Sequence, residues 1–154
     1  MWNRFVDWII ARARRNPYTH LRDYMERYWL IHYDRCFGYG LRVHHIKQSD
    51  DRHFHDHPWN YCSLILRGGY YEVTPVFDRS GLFQGEKRRW HGPGSVLLRR
   101  SSSWHRLELP EGQTVWTLFC TGRYHRHWGF LVEPRHKVSW REHQSQQGDE
   151  FAES

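Results

Sequence analysis

Cysteine is scarce in this 154-residue chain: Cys36, Cys62 and Cys120 are an odd number at spacings that form no pairing motif. That excludes a disulfide framework and predicts a reducing compartment, the cytoplasm. Long apolar runs are missing too. The one apolar patch near the start, residues 6–10, contains Asp7, is too short to span a bilayer and is followed by no cleavage pattern, so no membrane partner is expected. There is no internal repeat and no massed block of one charge. The formal net charge of +6 favours anionic partners at long range, but its even spread leaves nucleic-acid binding a minor reading. What the chain does have is aromatic side chains, 17% of its residues, together with thirteen histidines. A domain of this length buries one core, and the aromatic content suits packed β structure.

The hydrophobic spacing divides the chain into three parts. Residues 1–36 read as a helical segment packed on the main body. Trp2, Phe5, Val6, Ile9, Ile10 and Ala13 recur at three- and four-residue intervals, and Arg12, Arg14 and Arg15 cluster where cations favour the helix dipole. Asn16 and Pro17 supply a cap and first residue for a second short helix with Leu21, Tyr24, Met25 and Tyr28 as its stripe. Residues 37–143 change to short apolar or alternating runs, predicting strands over 41–47, 61–66, 70–76, 95–99, 104–109 and 115–120, with edge strands at 128–132 and 138–140. The predicted breaks fall at 68–69, 78–85, 92–94 and 110–112. Residues 144–154 form a polar tail expected to fray. Many short strands in one domain predict a mainly β sandwich or barrel.

The chemistry concentrates at His55-Asp56-His57. Two histidines one residue apart share a face of a strand, so both rings can reach one point, and His105 is the third candidate ligand. His53 has the same parity as the pair and is a substitute ligand if the register shifts. One of His44 and His45 must face inward. Tyr61 is a candidate proton donor, and Cys62 is either a buried apolar residue, a reactive thiol or a ligand that would close the site around Zn or Cu. Arg67, Arg99 and Arg100 end strands, where any that faces the barrel mouth can clamp a carboxylate or phosphate. Trp59 and Trp104 are candidates for an aromatic wall of the pocket.

These residues resemble the cupin superfamily, small jelly-roll barrels that commonly hold one transition metal. The first cupin motif is matched by His55, His57 and Gly69, with Cys62 where a Glu stands in the family and Ser49 in place of its first Gly. The second is matched by Gly94 and His105, with Arg100, Ser102 and Leu109 replacing its Pro, Gly and Asn. The resemblance implies a cupin-type jelly-roll barrel behind two N-terminal helices, a mononuclear site on His55, His57 and His105, and pairing of two copies through their sheets. Three neutral imidazoles suit Fe(II) foremost, with Ni, Mn, Zn or Cu as alternatives, and leave positions open for an anionic or chelating small-molecule substrate. Within the superfamily the chain is similar to three-histidine thiol dioxygenases of the cysteine dioxygenase type, in which a Cys at the position of Cys62 is cross-linked to a Tyr on a later strand. The counterpart of that Tyr is Cys120 or Phe119, a departure that removes the cross-link. The function implied is a metal-dependent oxygenase. A metal-dependent isomerase or lyase, and a sugar- or small-molecule-binding cupin without turnover, are the alternatives.

Overall fold

A computed structural model describes residues 1–21, 23–132 and 136–142; the predicted tail at 144–154 lies outside the described residues. The elements run α1 (Trp2–Ala13), β1 (Met25–Ile31), a 3-10 turn (Tyr33–Arg35), β2 (Gly40–Ile46), β3 (Phe54–His55), β4 (Tyr61–Arg67), β5 (Tyr70–Phe77), β6 (Phe83–His91), β7 (Val96–Arg99), β8 (Arg106–Glu108), β9 (Val115–Thr121), β10 (Gly129–Val132) and β11 (His136–Ser139). One sheet has the order β1-β2-β9-β4-β7. Facing it are two three-stranded sheets, β6-β5-β8 and β11-β10-β3. A reciprocal backbone bridge joins these two, His55 N to His105 O at 2.9 Å and His105 N to His55 O at 3.1 Å. The second layer is thereby continuous across β8 and β3. Every pairing is antiparallel and the connections cross between layers, the pattern of a jelly roll.

Alternation along the strands separates an inner core from an outer one. Ile46, Ile65, Tyr70, Leu97, Leu107 and Val115 fill the closed end of the barrel. On the outside of the five-stranded sheet, Tyr28, Val43, Leu66 and Trp116 receive Val6, Ile9, Ile10 and Ala13 of α1. That i, i+3, i+4, i+7 stripe is the one the sequence spacing predicts. Gly69, the glycine that matches the first cupin motif, sits beneath Trp90: a Cβ there would stand 2.5 Å from the indole ring and 2.7 Å from the His91 carbonyl. No helix among the described residues is long and apolar enough to cross a membrane.

The second predicted helix does not form. Residues 16–21 and 23–29 pair as a hairpin instead, with Tyr18 N bonded to Arg27 O at 2.9 Å, Leu21 N to Met25 O at 2.9 Å, and Asp23 at φ 58°. Met25–Ile31 is a strand covered on both faces, Tyr28 by α1 and Trp29 by the barrel side. A strand buried on both faces has no alternation, and its apolar residues mimic a helical stripe. The strand β6 was also hidden. Its residues Phe-Gln-Gly-Glu-Lys-Arg-Arg-Trp-His are nearly all exposed, as an edge strand allows, and cross-strand ion pairs to β8 hold it, Arg88 to Glu108 at 2.7 Å and Glu86 to Arg106 at 2.8 Å.

Candidate metal centre

The site grows from one backbone feature. His55 and His105 are directly opposed residues of the bridge between β3 and β8, so their side chains leave the sheet on the same face. His57 is two residues on from His55 and shares that face. The three rings converge, with one nitrogen of each lying within 4.8 Å of the others. His57 Nε2 and His105 Nε2 stand 2.9 Å apart. Two imidazole nitrogens bound to one ion at ~2.1 Å and at right angles to each other stand ~3.0 Å apart, so this pair has the spacing of adjacent ligands in a facial set.

The residues behind the ligands orient them. His105 Nδ1 donates to Glu72 Oε1 at 3.2 Å, which leaves its Nε2 lone pair facing His57. Glu72 is itself gripped by Arg99, whose Nε donates at 2.9 Å and whose second nitrogen bonds the other carboxylate oxygen. Burial would raise the Glu72 carboxyl, but the hydrogen bonds from His105 and Arg99 outweigh it and bring its pKa down to about 2. His55 Nδ1 lies 3.7 Å from Asp50 Oδ2, and Asp50 is fixed by Leu107 N at 2.6 Å and by the Tyr24 hydroxyl. Tyr61 OH stands 3.2 Å from His105 Nε2, and burial holds that phenol well above its ordinary pKa, hence protonated.

Between His55 and His57, Asp56 points the other way. It is fully buried, accepts Gly129 N at 2.8 Å, and pairs with Arg126 and Lys137 at 2.8 Å each. Alternation thus gives one tripeptide two roles: two candidate ligands on one side and, on the other, an anchor that ties the loop to β10 and β11.

Burial lowers the pKa of His55 to about 4 and of the inward-facing His44 to about 3, and it pushes His57 well below its ordinary value. These imidazoles are neutral at physiological pH, the form a metal needs. The same shifts fix a pH dependence. In the metal-free protein, groups with a depressed folded pKa contribute stability in full above their unfolded pKa, 6.5 for histidine, and lose it as pH falls through 6.5 toward the folded values. Glu72 adds a second loss between 4.5 and about 2. Urea midpoints of metal-free protein are therefore expected to fall between pH 7 and pH 4, by up to about 1.4 kcal/mol per group and pH unit, and to fall less for His44→Asn.

The remaining sequence candidates are placed as follows. Tyr61 is at the centre. Cys62 is not: it lies on the opposite face of β4, in line with Leu64 and directly across from Cys120, because adjacent strand residues point to opposite faces. The thiol-ligand reading does not hold, and it is Phe119 that faces inward, its ring 4.9 Å from that of Tyr61. Arg67 pairs with Asp7 of α1 at 2.5 Å, outside the barrel. Arg99 reaches the site but is committed to Glu72. Arg100 is exposed. Trp104 stands against Lys137, whose ammonium is 5.6 Å from its ring centroid. Trp59 is half-buried and holds its ring against Arg42. Of the neighbouring histidines, His45 faces outward onto Trp116, and His91 faces Glu72 at 3.3 Å but out of line for a hydrogen bond. The residues missed are Glu72, Asp50 and Arg42. The first and last announce themselves only as charges at inward positions of predicted strands.

The fold and this centre define the class. An antiparallel jelly roll with a His-x-His pair and a third histidine on the neighbouring strand is a cupin barrel, and the chain has the cupin fold. Comparison with solved structures agrees. The chain is similar to the polyketide cyclase RemF from Streptomyces resistomycificus, with 15% identity and a TM-score of 0.56 over 90% of this chain and 92% of that one. It is similar to the hydroxypropylphosphonic acid epoxidase from S. wedmorenis, with 13% identity and a TM-score of 0.55 over 71% of this chain and 56% of that one. A cupin-2 domain from Rhodospirillum rubrum matches with 14% identity and a TM-score of 0.54 over 71% of this chain and 66% of that one. The chain thus spans little more than half of the epoxidase. No family model and no curated protein matches the sequence.

Proposed function

We propose that the protein is a mononuclear metal-dependent enzyme, an oxygenase acting on a small anionic or chelating substrate, with Fe(II) held by His55, His57 and His105. The observation that carries this reading is the convergence of three imidazoles, one of them hydrogen-bonded to Glu72. An iron ion bound there supplies a place where substrate and dioxygen meet and exchange electrons. The chain's own residues do the rest. Glu72 and Arg99 hold His105 in one tautomer, the barrel wall of Phe119 and Tyr61 limits water, and the Tyr61 phenol holds a proton 3.2 Å from the ligand nitrogen, ready for a group that develops negative charge. The likeness to the epoxidase, crystallised as the Fe(II) protein, supports the choice of ion. The end-to-end likeness to a polyketide cyclase favours a second reading, non-redox isomerase or lyase chemistry at the same centre.

Glu72→Gln keeps the shape and removes the charge, and is expected to weaken metal binding by roughly 10–100-fold in a competition titration with a chelator, since second-layer carboxylates act at that scale. Oxygen consumption by the Fe(II)-loaded protein with small thiols, carboxylates and phosphonates separates the two chemistries. Uptake with at least one class, absent after His57→Ala, is the expected result. Full metal occupancy with no uptake on any class sinks the oxygenase reading in favour of the second.

A further inference from the structure

Four buried side-chain nitrogens have no hydrogen-bond partner among the described residues: Arg42 Nε, His44 Nε2, Trp59 Nε1 and His91 Nε2. His91 belongs with Glu72. The other three form one wall of the barrel. Arg42 and His44 are two apart on β2 and point inward together, and the Arg42 guanidinium lies 4.9 Å from the Trp59 ring centroid and 4.4 Å from that of Trp29. His44 stacks on Phe119 at 4.8 Å, and the far side of Phe119 meets His57 at 6.2 Å. This wall therefore adjoins the three-histidine centre.

The cation is the anomaly. Arg42 keeps only 7% of its surface exposed, and among the described residues no carboxylate pairs with it; the titratable groups nearby are the phenols of Tyr18 and Tyr33 and another cation, Arg27. Burial lowers the pKa of Arg42, to about 10, which leaves it charged at neutral pH. A buried charge without a counter-ion is strongly unfavourable unless something outside the chain completes it. Trp29 and Trp59 lie against the guanidinium, whose Nε is buried and unpartnered, and a guanidinium takes a carboxylate or phosphate with two parallel bonds through its N–H fork. The Trp59 indole N–H can only donate. Two unpartnered donors, Arg42 Nε and Trp59 Nε1, beside a candidate metal centre select an anion.

We propose that Arg42, with Trp59 and His44, is an anion-binding subsite that seats the carboxylate or phosphoryl group of the substrate beside the metal. The proposal deepens the metalloenzyme reading and rests on it. It also moves the anion clamp from Arg67, Arg99 and Arg100, which the sequence offers, to a residue inside the barrel.

The test is calorimetric titration of the metal-loaded protein with inorganic phosphate and, separately, with malonate, alongside metal analysis of every sample. Wild type is expected to bind one of the two anions, and the preference identifies the headgroup. Arg42→Met should weaken that binding at least tenfold, Arg42→Lys less, and Trp59→Phe about threefold, all with metal stoichiometry unchanged. Trp59→Phe removes the indole N–H while keeping an aromatic ring, so it keeps the proposal open to refutation if Arg42→Met does not fold. Equal affinity of wild type and the variants for both anions, or no binding of either anion by fully metallated wild type, overturns the subsite. A wild type that takes up no metal while still binding the anion through Arg42 overturns the metalloenzyme reading instead.

Discussion

Replacing His105 with alanine is expected to reduce bound metal from one ion per chain to background, as measured by elemental analysis after loading and desalting. The effect is the largest foreseen at the site because the His105 ring joins two functions. It contributes the nitrogen 2.9 Å from His57 Nε2 and carries the hydrogen bond to Glu72, while the backbone bridge to His55 survives the substitution. Removing the ring leaves two imidazoles and a buried Glu72 with Arg99 as its main partner. Two histidines alone hold a divalent ion weakly in competition with water. His53→Ala is the matched control. It has the parity of the ligand pair yet lies outside the cluster that converges, and its loss should leave the stoichiometry at one. Retention of full metal by His105→Ala would show that the ion sits elsewhere.

Asp56→Ala is expected to cost the most stability. The carboxylate has no exposed surface and joins the Gly129 backbone N–H with Arg126 and Lys137. Breaking a buried pair by deleting one partner costs about 3–5 kcal/mol, because the other groups stay buried without compensation. Here the two cations keep 30% and 33% of their side chains exposed and can turn to water, which places the expected loss near the lower end, about 3 kcal/mol. For a domain of this size that is a fall in Tm of roughly 6–12 °C by calorimetry. Metal affinity should fall as well, since the tripeptide that carries His55 and His57 loses its anchor to β10. A Tm within 2 °C of wild type, to within roughly the ordinary scatter of surface substitutions, would contradict the assigned role.

The part of this architecture that is legible in the sequence is the part with a simple period. Helix α1 shows its stripe, the half-buried strands show alternation, and His55 and His57 announce a shared face by parity alone. The unread parts each have a physical cause. Strand β1 is covered by α1 on one side and by the barrel on the other, so its apolar residues lack the period of two, and Asn16-Pro17 looks like a helix start when it opens a hairpin. Strand β6 is an exposed edge held by cross-strand charges, which a hydrophobic pattern does not register. At the site, Glu72 acts on His105 and Arg99, 33 and 27 residues away, and Arg42 acts on an outside ligand. Only the register of β5 and β2 brings them inward. Cys62 shows the converse error: motif spacing places it where the cupin family has a carboxylate, while strand parity turns it to the outer face. The carboxylate of this centre is Glu72, and it serves as the orienting partner of His105 rather than as a ligand.

The most direct measurement is an anomalous difference map from crystals of protein loaded anaerobically with Fe(II), with data collected on both sides of the iron edge. The account predicts one peak per chain, ~2.0–2.2 Å from a nitrogen of each of His55, His57 and His105. A map with no peak among these rings, or with the ion bound at another cluster while they remain unligated, would contradict it.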